Sequence, residues 1–154
     1  MHADEMVIAA LTQLGKPYRF GAEVRLEDPD PPAFDCSELV QWASARAGAP
    51  LPDGSGAQVD AVVRAGAVIP LEEAVRTRGA LLLRRPRPIP GGWAPGHVAI
   101  SLGDGRTVEA MDSTHGVCLG RAARPGWDLA ALVPGLDYTP RHDAPATDAT
   151  GGAS

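Results

Sequence analysis

The chain has 154 residues, 44% of them apolar, which suits one domain with a sizeable core. Its formal net charge of −5 argues against a nucleic-acid or anionic-membrane surface, and no apolar run is long enough to insert in a bilayer. Two cysteines, Cys36 and Cys118, offer neither metal-ligand spacing nor a disulfide framework.

Residues 3–14 carry Met6, Val7, Ala10, Leu11 and Leu14 at helical spacing, closed by Gly15 and Pro17. Residues 18–21 read as a short extended piece and 22–33 as a charged, proline-rich loop. Asp35 is a good N-cap for the next helix, and Glu38 three residues later has the spacing of a capping box. Leu39, Val40, Trp42, Ala43 and Ala47 give that helix an apolar face, and Gly48 with Pro50 stops it. Cys36 therefore falls in the first turn, where the helix dipole and unpaired N–H groups favour a thiolate. A cysteine by itself is more often a small core hydrophobe, so the assignment needs a partner base.

Further on, Ser55 is placed to cap a helix over 57–65, and 71–76 reads as another short helix. The period then changes. Residues 80–83 form an apolar strand run, 86–95 a loop rich in proline, and 97–102 an alternating strand closed by Gly103-Asp104-Gly105. Residues 106–111 return, with further strands expected over 116–120 and 130–136. The arginines at 84, 85 and 87 are interrupted by prolines and read as a solvated loop. From 139 to 154 the composition turns to Pro, Asp, Ala, Thr and Gly, the signature of a disordered tail. Helices followed by an antiparallel meander define an α+β domain over 1–138.

His97 opens the strand of that hairpin, and Cys plus His is the minimum of a thiol acyl-transfer site. The third group depends on the turn. With a three-residue loop and Gly105 left-handed, Leu102 pairs with Arg106 and Glu109 shares the face of His97. A two-residue turn puts Glu109 on the opposite face and leaves Asp112 or His115 as alternatives.

Three stretches, Gly15-Lys16-Pro17-Tyr18-Arg19-Phe20-Gly21, Phe34-Asp35-Cys36-Ser37 and Gly96-His97-Val98-Ala99-Ile100-Ser101-Leu102-Gly103-Asp104-Gly105, occur in the order seen in the NlpC-type peptidoglycan endopeptidases, which the chain resembles over about 4–138. The resemblance implies a papain-like fold, a cysteine-headed helix packed on a roughly five-stranded antiparallel sheet. It implies Cys36 as nucleophile, His97 as base and Glu109, twelve residues after His97, as the group that orients it. Tyr18 matches the tyrosine near the oxyanion, and Asp35 and Ser37 match residues that hold the free amino end of the stem peptide. Two positions depart from the family pattern: Glu109 stands where His, Asn or Gln is usual, and Glu38 where Gly is usual. The implied substrate is the peptidoglycan stem peptide, cut after γ-D-glutamate, with no cofactor and no metal. An amidase or acyltransferase of the same chemistry, or a non-catalytic wall-binding or particle-structural module, are the alternatives. The N-terminus lacks the basic start and apolar core of a signal peptide, so the expectation is a cytosolic product carried to the wall. The Ser-Glu-Leu after the cysteine resembles copies linked to phage tails or contractile injection particles.

Overall fold

A computed structural model describes residues 1–140. Helix α1 (Ala3–Leu11) starts with a reciprocal cap: His2 accepts from the Asp4 N–H, and Glu5 accepts from the His2 N–H at 2.9 Å. It stops three residues short of the expected Leu14, because the chain must turn for Gly15 N–H to reach the Val117 carbonyl. Helix α2 (Cys36–Arg46) buries Leu39, Val40, Trp42 and Ala43. Trp42 meets Phe34 edge-on at 5.7 Å and donates its indole N–H to the Asp28 carbonyl, which ties the otherwise irregular 22–33 loop to the helix. In α3 (Ser55–Arg64) the N-cap is Gly54 at φ +94°, not the expected Ser55, which is the first helical residue.

The sheet follows. Strands β1 (Val68–Ile69), β2 (Leu81–Arg84), β5 (His97–Ser101), β6 (Arg106–Ala110), β7 (Val117–Arg121) and β8 (Leu129–Ala131) form six antiparallel strands in the order β1-β8-β2-β5-β6-β7. The short helix α4 (Leu71–Val75) covers the second face. One strand more than expected is present because β1 spans two residues, too few to show a period in sequence. Residues 86–95 are not a plain loop. They form a separate hairpin of β3 (Arg87–Ile89) and β4 (Gly92–Ala94), where Pro88 is tolerated because the pair has open edges. The strand expected over 130–136 is the shorter β8.

Strand β2 explains its own unbroken apolar run. Leu81 and Leu83 pack into the main core with Val98, Ile100 and Val108 under the helices, while Leu82 packs on the other face with Ala74, Ala80 and Ala130. Both faces are covered, so no polar alternation is needed. The β5–β6 turn settles the register. Gly105 adopts φ +91°, Leu102 N–H bonds the Arg106 carbonyl, and Ile100 pairs with Val108. This is the three-residue loop. Of the tail expected over 139–154, residues beyond Pro140 lie outside the described part.

At the end of the described chain, the half-buried Tyr138 hydroxyl accepts from Val133 N–H and donates to the Gly79 carbonyl, both at 2.8 Å. Burial raises this phenol to about 12, so it keeps its proton. Tyr138→Phe leaves both backbone groups without that partner and should cost about 1–3 kcal/mol. A thermal or urea melt reads this as a Tm lowered by roughly 3–9 °C at the scaling for a chain of this size.

Candidate active site

The site begins with the cap of α2. Asp35 sits in extended backbone, φ −100° and ψ −177°, and its carboxylate accepts from the Glu38 N–H at 2.9 Å and the Ser37 hydroxyl at 3.2 Å. Its other oxygen accepts from Gly21 N–H at 3.2 Å. The cap thus also fixes the 18–21 segment, which pairs Tyr18 with Phe34 through Arg19 N–H to the Phe34 carbonyl. Tyr18, Asp35, Cys36, Ser37 and His97 all line one cleft of about 700 Å³. The hairpin extends its wall through Trp93, and Phe20 projects from the 18–21 segment; both rings are largely exposed.

His97 is the first residue of β5, opposite Arg84 on β2. Gly96 before it makes a close approach: a Cβ there would stand 2.8 Å from the Arg84 carbonyl oxygen and 2.9 Å from the Pro86 ring. The imidazole is held on two sides. Its Nε2 lies 2.8 Å from Glu109 Oε1, and its face stacks on Trp127 with centroids 5.8 Å apart and planes 17° from parallel. Glu109 lies on β6, only 1% exposed. Thr107 donates its hydroxyl to Oε2, and Arg124 grips both oxygens, Nη1 to Oε2 at 2.9 Å and Nη2 to Oε1. Burial alone would raise this carboxyl, but the hydrogen bonds from His97, Arg124 and Thr107 outweigh it and hold it down at about 2. The alternatives Asp112 and His115 pair with each other at 2.8 Å in an exposed turn.

Two sequence expectations need correction. The helix start was expected to favour a Cys36 thiolate. Burial instead pushes the thiol up to about 11, with Asp35 adding, against N–H groups of Val98, Ser37 and Cys36 itself. At the mouth of α2 desolvation and a neighbouring carboxylate outweigh the helix end, so a base must remove the proton. Glu38 also does not complete a capping box. Its side chain turns outward from the cap, accepts from Val24 N–H at 2.6 Å and shares a hydrogen bond with Asp53. Burial raises the Tyr18 phenol above its ordinary value, with Cys36 and Asp35 contributing, so it remains an O–H donor. Arg124 and Trp127 were not singled out from sequence. The available signal was chemical: a strand glutamate assigned to a buried site needs a cation.

Residues 15–133 match the NlpC/P60 family, and the chain belongs to it. It is 34% identical over 114 residues to the peptidoglycan DL-endopeptidase CwlO of Bacillus licheniformis, a match covering 74% of this chain and 23% of CwlO. Among solved structures it resembles the P60 domain of antigen MAP1204 from M. avium subspecies paratuberculosis, with TM-score 0.67, 28% identity, and coverage of 85% of this chain and 93% of that one. The peptidoglycan hydrolase RipB of Mycobacterium tuberculosis gives TM-score 0.66 and 28% identity over 88% of this chain and 65% of its own. RipD of the same organism, described as a non-catalytic NlpC/p60 domain protein adapted to peptidoglycan binding, shares the fold at 23% identity and TM-score 0.65, covering 85% of this chain and 96% of its own.

The Glu38–Asp53 pair yields a pH prediction. Burial first, then the bond to Asp53, raises Glu38 from an ordinary value near 4.5 to about 7, while Val24 N–H opposes the shift. An acid whose folded pKa exceeds its unfolded one binds its proton more tightly when folded. Its stabilising contribution is therefore full below about 4.5 and is lost as pH rises through about 7. Urea melts should show stability falling across that window, and Glu38→Gln, which keeps an acceptor for Val24, should flatten the fall.

Proposed function

We propose that this chain is a cysteine endopeptidase that hydrolyses an amide bond of the peptidoglycan stem peptide, after γ-D-glutamate. The observation that carries the reading is the placement of Cys36, at the head of α2, and His97, backed by Glu109, on one cleft. The similarity to a relative named a DL-endopeptidase supports the choice of bond.

In this mechanism the second ring nitrogen of His97, Nδ1, takes the proton from Cys36 Sγ as sulfur attacks the carbonyl carbon. The oxygen becomes an oxyanion, stabilised by the Cys36 backbone N–H and the Tyr18 hydroxyl. The C–N bond then breaks, and the imidazolium returns its proton to the leaving amine. Water, deprotonated by His97, cleaves the thioester and restores the thiol. Glu109 keeps the ring oriented and stabilises its charged form. Asp35, with Ser37 beside it, supplies negative charge at the cleft for the free ammonium of the stem peptide.

A second reading is a wall-binding module without catalysis. The elevated thiol of Cys36 favours it, as does the likeness in fold to RipD. Digestion of purified muropeptides, with products weighed by mass spectrometry, separates the two. The wild type should release fragments ending in γ-D-glutamate, whereas an amidase would free the glycan from the whole peptide. Cys36→Ala and His97→Ala should each lower the rate by about 10⁴-fold or more, and Glu109→Ala by about a hundredfold less than either. Full hydrolysis by Cys36→Ala would falsify the peptidase reading; muropeptide binding without cleavage by the wild type would favour the second.

A further inference from the structure

We propose that Arg124 is a positioning residue for the thiol site, its two-point grip on Glu109 fixing the plane and balancing the charge of the buried carboxylate that holds the His97 ring. The inference rests on the Cys36–His97 reading above. Glu109 is almost wholly enclosed, and each of its oxygens meets the guanidinium of Arg124, a bidentate geometry that fixes the carboxylate plane as well as its charge. The same guanidinium lies 4.7 Å over the ring of Trp127, and Trp127 stacks on His97. Arg124 therefore acts on the imidazole by two routes, through Glu109 at its edge and through Trp127 at its face.

Strand β7 is shaped for this contact. Gly120 pairs with Thr107, and a Cβ on it would stand 2.7 Å from Glu109 Oε2, 2.8 Å from Arg124 Nη1 and 2.8 Å from the Thr107 hydroxyl. No side chain fits there while the network is intact.

Charged and titratable groups reach the cleft and the Glu109 network from several elements. Helix α2 and its cap bring Cys36 and Asp35, the 18–21 segment brings Tyr18, the loop after it Glu23, the turn before α3 Asp53, and β2 Arg84 to the cleft. Strand β7 brings Cys118, paired with Glu109, its thiol raised by burial and then by Glu109. The turn after β6 brings Asp112, engaged with His115, and the segment before β8 brings Asp128, engaged with the Arg85 N–H. Beside these groups stands Arg124, the cation that bonds the carboxylate directly. Without it the full negative charge of Glu109 faces Nε2 unbalanced.

The test is the pH dependence of Cys36 alkylation by iodoacetamide, which needs no wall substrate, in a Cys118→Ala background so that one thiol reports. Arg124→Met should move the acid limb of the profile up by about one pH unit or more. Gly120→Ala, which pushes the guanidinium off the carboxylate, should move it in the same direction. Arg124→Lys, which keeps the charge but not the two-point grip, should move it less than Arg124→Met, and Glu109→Gln/Arg124→Met, with no carboxylate charge and still an acceptor for Nε2, should return to the wild type. Superimposed profiles for wild type, Arg124→Met and Gly120→Ala would overturn the inference. If Arg124→Met does not fold, Gly120→Ala against Arg124→Lys decides alone. His97→Ala separates the two levels: if it changes the profile while the Arg124 and Gly120 variants do not, the role of Arg124 fails and the Cys–His pair stands. If His97→Ala also leaves the profile unchanged, both fall.

Discussion

A carboxylate enclosed in a sheet is the constraint around which this molecule is arranged. Glu109 cannot remain ionised on β6 without donors, and it has them from three directions: His97 on β5, Thr107 on its own strand, and Arg124 beyond β7. Meeting that requirement fixes several choices at once. The β5–β6 turn must have three residues so that Glu109 and His97 share a face. Position 120 must lack a side chain. The segment after β7 must fold back over the sheet end, and there its indole both bonds the Ala122 carbonyl and stacks on the imidazole. Removing one member of such a network leaves an uncompensated buried charge, which costs more than the network as a whole contributes.

On the other side of the cleft the governing competition is between desolvation and the helix end. Cys36 has the position that lowers a thiol pKa and the burial that raises it, and burial wins. A resting thiol is a weaker nucleophile but also a safer one, since it escapes indiscriminate alkylation and oxidation until a base is engaged. In the proposed mechanism activation then belongs to the Cys36–His97 pair, not to the cysteine alone.

Much of this was legible in the sequence, for physical reasons that differ by residue. Asp35 as N-cap, the buried face of α2 and the Leu81–Leu83 run follow from local pattern, and the structure has them. The register of Glu109 was legible only as a fork, because one glycine's φ decides it and sequence permits either turn. The hairpin at 87–94 was hidden by its prolines, and β1 by its length. Arg124 and Trp127 could not be read from spacing at all. Their role depends on a chain reversal that brings them 15 and 30 residues in sequence from Glu109 and His97 into contact. Glu38 shows the reverse error: its spacing suits a capping box, but a backbone N–H from the 22–33 loop and Asp53 compete for the same carboxyl and take it.

Glu38 and Glu109 together show that burial alone does not determine what a carboxyl does. Both are almost fully enclosed, and burial pushes both upward. Glu109 meets a guanidinium, a hydroxyl and an imidazole and is held at about 2; Glu38 meets one N–H and a second carboxyl and rises to about 7. The difference lies in the neighbours: three donors, two of them cationic or able to be, around Glu109, against one N–H and the acidic Asp53 and Asp35 around Glu38. One carboxyl is thereby a fixed charge at any ordinary pH, fit to orient a base. The other takes or releases a proton near neutrality, at the base of the helix that carries Cys36 and beside the Asp53 that lines the cleft. A fixed charge behind His97 and a variable one behind Cys36 give the two halves of the cleft different responses to the same change in pH.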